Sequence, residues 1–370
     1  MKNSIKATIL IIGLMMSIVA WSQVTLPPSG NNQKSEVTQY LGLVKVSIVY
    51  SSPDVAGREI WGKLVPYGMA NLAIFRSTDQ NPSPWRAGAN ENTTISFSSD
   101  VEIEGKPLKA GIYGLHMVPG AEDWTIIFSN NSTSWGSFFY LPSEDALRVT
   151  VKAVPCEFNE WLTFEFVERQ QNSATARLKW EKVSVPFKIS VSNGDDLYVK
   201  KLREELVSAK GFAWQNVVAA TNFCANKKIN LDEALTWVQI PIDRGIKYFP
   251  IYQAKGNVFA AMNKKDEADA VMKEAINLPD ATAAQIANYG RTLITQTRPK
   301  DAMVIFESGY KRFPTVPAAL IGMARGYSAN GDSKKALKFA QDAMKLETTA
   351  QGKTVIDGMV KKLEKGESIN

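Results

Sequence analysis

Between positions 37 and 191 apolar and polar residues alternate in short runs. Residues 43–50, 93–97, 124–128, 161–166 and 176–180 either repeat every second position or join β-branched to aromatic residues. A period of two sends alternate side chains to opposite faces, so each run predicts a strand. Turn formers separate the runs: Glu104-Gly105-Lys106-Pro107, Pro119-Gly120 and Asn130-Asn131-Ser132. Strands this short and this regularly spaced predict an all-β sandwich or barrel over 37–191. The stretch Ser192-Asn193-Gly194-Asp195-Asp196 ends the pattern. Beyond it the apolar period lengthens to about 3.6 and helix formers run between Pro and Gly stops, which predicts an all-α region over 195–366. The chain is therefore multidomain, β followed by α.

The helical half repeats itself. Ala234, Ala268, Ala302 and Ala336 are spaced 34 residues apart. The same offset links Gly256 to Gly290, Phe259 to Leu293 and Tyr327, and Ala275 to Gly309 and Ala343. Small residues at fixed places let paired helices approach, and large apolar ones fill the space between. A unit of two helices with this period resembles the tetratricopeptide repeat (TPR). Three units are expected over 249–350, with a degenerate one over about 215–248. A capping helix is expected near 354–365, because a terminal unit needs one polar face. Asn257, Arg291 and Arg325 are equivalent positions on the first helix of each unit, with Phe223 in the degenerate one. The resemblance implies that this helix lines a ligand groove. A column of Asn and Arg suits an acidic peptide or a chain terminus, although an ordinary solvated face has the same composition.

The N-terminus predicts export. Lys2 and Lys6 precede an uncharged, mostly apolar segment over 7–20, and Ala20-Trp21-Ser22 places small residues where a signal peptide is cut. The expected division is a signal peptide over 1–22, a flexible leader over 23–36, and a mature protein that is periplasmic or secreted. The apolar segment approaches the roughly 20 residues of a spanning helix, so an uncleaved anchor is the alternative. No other stretch could span a bilayer. Net charge is +6, and +4 without Lys2 and Lys6. No Lys/Arg run resembles a nucleic-acid stripe, so nucleic acid is not an expected partner. Cys156 and Cys224 fall in different predicted domains, where they either tie the two together or remain free thiols. Two cysteines and one histidine, His116, do not make a common zinc site. No metal or cofactor is expected.

The β half resembles a family of exported bacterial proteins known only as a domain of unknown function, DUF2911. The residues carrying the resemblance are Ser52-Pro53-Asp54-Val55-Ala56-Gly57-Arg58-Glu59-Ile60-Trp61-Gly62, Leu64-Val65-Pro66-Tyr67-Gly68 and Trp85-Arg86-Ala87-Gly88-Ala89-Asn90-Glu91-Asn92-Thr93-Thr94. Ile103-Glu104-Gly105-Lys106-Pro107-Leu108-Lys109-Ala110-Gly111-Ile112-Tyr113 and Trp124-Thr125-Ile126-Ile127-Phe128 complete it. One departure stands out: residues 69–84 separate the Pro-Tyr-Gly and Trp-Arg motifs, which are almost adjacent in the family. The resemblance implies export and a domain type, and no activity.

Arg58, Tyr67, Trp85, Arg86, Asn90 and Glu91 form the most site-like group, rich in donors and set among loop glycines. Arg58 and Arg86 could fork onto a carboxylate or phosphate, and Trp85 could stack on a sugar or aromatic ring. The competing reading is structural, with Arg86 paired to Glu91 and Asn90 capping a turn. His116 sits in a predicted strand without a nucleophile elbow. Gly57–Leu64 misses a phosphate loop, because Leu64 stands where a hydroxyl is required. Glu102 and Glu104 share a strand face, which is a solvated face as readily as an acid pair. Two functional readings follow. The first is an envelope binding or scaffolding protein, with a protein or peptide in the helical groove and a small-molecule or glycan ligand on the β domain. The second is a hydrolytic or transfer enzyme with Arg86, Glu91 and His116 in one pocket.

Overall fold

A computed structural model describes residues 32–370. The expected signal peptide and residues 23–31 of the expected leader lie outside the described residues. Residues 33–36 do not belong to a leader. They open strand β1 (Gln33–Leu41), which pairs from Gln33 opposite Ser52 to Leu41 opposite Val44 on β2 (Val44–Ser52). β1 is an outer strand with one wet face, so its residues remain polar and do not read as a strand.

Eight further strands follow: β3 (Thr94–Phe97), β4 (Val101–Ile103), β5 (Lys106–Leu108), β6 (Gly111–Val118), β7 (Asp123–Ser129), β8 (Asp145–Lys152), β9 (Val154–Gln170) and β10 (Ser173–Ser190). They form two antiparallel sheets, ordered β1-β2-β3-β6-β7-β8 and β5-β4-β10-β9. Both sheets have open edges, so the unit is a sandwich and not a closed barrel. One core joins them, with Val46, Ile48, Ile95 and Phe128 from the first sheet and Phe164, Leu178, Trp180 and Phe187 from the second. Glu104 and Gly105 both take the left-handed conformation and make the two-residue turn between β4 and β5. Glu104 therefore leaves the strand face it was expected to share with Glu102 and accepts instead from the Lys188 amide.

Ten helices follow among the described residues: α1 (Gly194–Leu206), α2 (Trp214–Lys227), α3 (Leu231–Asp243), α4 (Phe249–Ala261), α5 (Lys265–Ala275), α6 (Ala283–Thr295), α7 (Pro299–Arg312), α8 (Pro317–Ala329), α9 (Ser333–Leu346) and α10 (Ala350–Glu364). The chain divides into two compact units within α1, between Leu197 and Tyr198. Cys156 and Cys224 are free thiols.

Helices α2 to α9 are four successive hairpins, and α10 follows them as the final helix. Ala234, Ala268, Ala302 and Ala336 are each the fourth residue of the second helix in a hairpin, on α3, α5, α7 and α9. The 34-residue spacing is thus a spacing of equivalent packing positions. Met272, Phe306 and Ala340 share another such position, and all three are buried. At the middle one the Phe306 ring lies against Gly290, Gly322 and Gly326. A Cβ on these glycines would come within 2.3, 2.8 and 2.8 Å of ring atoms. Three glycines from two neighbouring hairpins thus leave the gap that one ring fills.

Candidate functional site

Between β2 and β3 the chain leaves the sheet for residues 53–93, the segment with most of the family-like motifs. Its two ends are pinned. The Val55 amide bonds the Glu160 carbonyl on β9 at 2.8 Å. Trp85 and Met117 of β6 exchange both backbone hydrogen bonds, each at 2.8 Å. Residues 69–84 close on themselves, because Ala70 and Ser83 also exchange both bonds, at 2.9 and 2.8 Å. The segment is therefore a small hooked loop that brings its own two ends together. Its residues Ala70, Leu72, Ser83 and Pro84 form part of a cavity wall.

That cavity is about 340 Å³ and is also lined by Arg58, Trp85, Arg86, Asn90, Ser137 and Trp180. Behind it stand four tryptophans. Trp85 lies nearly parallel to Trp180, with ring centres 6.0 Å apart and planes inclined by 13°. Trp61 meets Trp85, Trp124 and Trp180 edge-on at 5.7, 5.1 and 5.8 Å. Edge-to-face and offset packing suit the ring quadrupoles, so the cluster is a rigid floor.

Arg86 is the charge at this floor. Its Nη1 donates to the Asn90 carbonyl at 2.8 Å, and its guanidinium carbon lies 4.8 Å from the centre of the Phe138 ring. Gly136 makes room for it. That residue has φ +58°, and a Cβ there would come within 2.6 Å of Arg86 Nη1. Among the described residues no carboxylate pairs with Arg86, although a guanidinium has five donors to place. Desolvation lowers its pKa from the ordinary value, yet a guanidinium stays charged. Ala87 and Asn90 hold left-handed backbone at φ +51° and +56°. Such strain needs surrounding support, here from the Ala89 amide to the Ser51 carbonyl and from the Thr93 hydroxyl to the Ala87 carbonyl.

Four of the six loop residues expected together do line the cavity: Arg58, Trp85, Arg86 and Asn90. Arg58 is already engaged, donating to Asp54 Oδ1 at 3.0 Å and to the Val55 carbonyl at 3.1 Å. Tyr67 is 56% exposed and does not line the cavity, while its neighbours Pro66 and Gly68 do. Glu91 is not a partner of Arg86. It accepts from the Ser51 hydroxyl at 3.1 Å and lies 4.0 Å from Lys34. A hydrogen bond from backbone holds its carboxyl below the usual range, with help from Ser51 and Lys34. The grouping of Arg86, Glu91 and His116 in one pocket is therefore not formed.

His116 is 2% exposed, and its Nδ1 lies 2.9 Å from Ser137 Oγ. Burial, and then the charge of Arg86, pulls its pKa down to about 4. The ring is neutral near pH 7, and its Nδ1 shares one hydrogen bond with the Ser137 hydroxyl. Among the described residues no carboxylate joins this pair, so it lacks the acid that orients a catalytic base. Because the folded pKa lies below the ordinary 6.5, the unfolded chain takes up a proton first as pH falls. The stability that neutral His116 contributes is complete above about pH 6.5 and is lost towards pH 4. The urea midpoint is expected to drop as pH falls, equivalent to about 2 kcal/mol by roughly pH 5. His116→Asn should flatten that slope, and an unchanged slope would count against a buried neutral ring.

On the helical unit the expected column is partly kept. Arg291 and Arg325 line one opening of about 320 Å³ together with Asn288, Thr292 and Asn370. Asn257 lines an adjoining cavity of about 510 Å³, with Asp269, Tyr289, Arg298 and again Thr292. Phe223 does not join the column. Its ring packs 5.7 Å from that of Tyr198 on α1, because the degenerate hairpin is covered by another helix. Arg325 Nη1 donates to the Ile369 carbonyl at 2.5 Å, and the Asn370 side chain returns a bond to the Arg325 carbonyl at 3.1 Å. Desolvation and then the charge of Arg291 lower the pKa of Arg325.

Among the cavity residues that sequence reasoning did not single out are Ser83, Ser137 and Trp180. Ser83 lies in the segment that departs from the family pattern. Ser137 lies far along the chain, and Trp180 reads as an ordinary inward strand position.

Residues 32–189 match the model of a family described as "Protein of unknown function (DUF2911)". The family resemblance read from the loop motifs holds across the β unit. No curated protein matches the chain. Among solved structures the chain is similar to a thermophilic TPR protein of Thermus thermophilus, at 12% identity, with 46% of this chain and 91% of that chain covered and a TM-score of 0.33. It is also similar to MamA, at 14% identity, 41% and 88% coverage and a TM-score of 0.31. A third is YrrB, described as a TPR protein with an unusual peptide-binding site, at 13% identity, 46% and 84% coverage and a TM-score of 0.28.

Proposed function

We propose that this is a non-enzymatic binding and scaffolding protein of the cell envelope. The helical array holds a protein partner by an acidic extended segment or chain terminus, and the β unit holds a small ligand in the cavity beside Arg86. Export rests on Lys2, Lys6 and the apolar segment before Ala20-Trp21-Ser22. Among the described residues no helix is long and apolar enough to cross a membrane.

One observation carries the reading. Arg291 and Arg325, one repeat apart, line a single opening, and among the described residues neither has a carboxylate partner. Two like charges held together without a counter-charge are unfavourable until an acidic group arrives. Arg325 already donates to a main-chain carbonyl, that of Ile369, which is the contact an extended segment offers.

Arg291→Glu combined with Arg325→Glu should leave the helical circular dichroism intact. It should weaken the partner about 100-fold, since hydrogen bonds to charged groups contribute roughly 1.5–3 kcal/mol each. Affinity capture from envelope extract, wild type beside variant and read by mass spectrometry, provides the check. Identical captured proteins would remove the groove from the proposal.

A further inference from the structure

We infer that the β cavity takes a small polyhydroxylated carboxylate of monosaccharide size, a sugar acid whose carboxylate lies on the Arg86 fork. The inference rests on reading this cavity as a ligand site and names the ligand's class.

Three features of the cavity select that class. The first is charge. Arg58 is committed to Asp54, so Arg86 is the one uncompensated cation among the lining residues. A half-buried guanidinium without a counter-ion is costly, and a planar fork matches a carboxylate in two parallel bonds. A single cation balances a monoanion, whereas a phosphate dianion would leave one charge unmatched in a low-dielectric site. The neutral ring of His116 adds no positive charge.

The second is unmet hydrogen bonding. Ser83 Oγ and Trp180 Nε1 have no partner in the protein. The two residues are 3% and 1% exposed, and both line this cavity. Buried polar atoms in folded proteins are almost always paired, so these two mark unmet hydrogen bonding in the residues of the cavity wall. An indole N–H only donates, while a hydroxyl donates and accepts. Ligand hydroxyls offer both roles, and an apolar ligand offers neither.

The third is shape. Trp85 is half-buried against Trp180 and leaves part of its indole to the cavity, an apolar surface for the C–H face of a sugar ring. At about 340 Å³ the space lies near the lower limit for small-ligand sites, which suits one ring and not an oligomer.

The test is a tryptophan-fluorescence titration of the mature protein at fixed ionic strength with D-glucuronate, D-glucose and inorganic phosphate. Saturable quenching by glucuronate is expected, with glucose weaker by about tenfold to a hundredfold, the range set by one charge-assisted pair. Arg86→Gln should bring glucuronate down to the level of glucose, and Arg86→Lys should restore only part of the difference. Ser83→Ala should weaken glucuronate several-fold without lowering the melting temperature, because it removes an unpaired buried hydroxyl; a purely structural Ser83 would show the reverse. Glucose bound as tightly as glucuronate would overturn the assignment of an acid while leaving a ligand cavity. Phosphate bound more tightly than glucuronate would likewise overturn it. Absence of any saturable change with all three would overturn both the class and the cavity reading.

Discussion

Phe306→Ala will cost the helical unit about 3–5 kcal/mol, the range for emptying a buried aromatic position. The ring lies on Gly290, Gly322 and Gly326, which belong to two adjacent hairpins. Its removal therefore opens a gap between repeats as well as within one. In a stacked array each hairpin is held chiefly by its neighbours, so loss at this junction should loosen the stack on both sides. Urea unfolding followed by far-ultraviolet circular dichroism measures the loss, and a change below about 1.5 kcal/mol would contradict this role. The reverse substitution gives an independent check. Gly290→Ala improves helix propensity by about 1 kcal/mol, yet its Cβ would come within 2.3 Å of the ring. A net destabilisation is expected, since backbone and ring must both shift.

Trp85→Ala will have the next largest effect, about 3 kcal/mol from the β unit, at the low end for tryptophan truncation because the ring is only half-buried. The indole contacts three other tryptophans, and its backbone completes a two-bond bridge to Met117. The backbone bonds survive the substitution while the ring contacts do not. The variant should therefore fold, melt at lower temperature and lose the cavity's aromatic wall. Thermal melting and the glucuronate titration read the two consequences separately. Unchanged melting would show that the ring is not part of the packed floor, and unchanged titration would show that it is not part of the wall.

Much of the candidate site was legible from loop chemistry. Arg58, Trp85, Arg86 and Asn90 stand close in sequence, among glycines and a resembled motif, and they do line one cavity. The pairing of charges was not legible. Arg86 and Glu91 look complementary five residues apart, yet Glu91 meets Ser51 on β2 and Lys34 on β1. Arg58 finds Asp54, four residues earlier. Partners are chosen by where the backbone leaves each side chain, and left-handed turns at Ala87 and Asn90 decide that locally. Phe223 shows the same limit on α2. It keeps the 34-residue spacing, but Tyr198 covers it, and no repeat pattern records what lies outside the repeat.

The sequence by itself determined the two architectures. A period of two and a period near 3.6 are direct consequences of strand and helix geometry, and a 34-residue offset of small residues marks equivalent packing positions whatever the surroundings. Only the tertiary structure decided which polar groups have partners. It left Arg86 without an acid and the side chains of Ser83 and Trp180 without hydrogen bonds around one cavity, joined Ser137 to His116, and set Arg291 beside Arg325. Hydrogen bonds and charges act over a few ångströms, and residues far apart in the chain come within that range only after the backbone has closed.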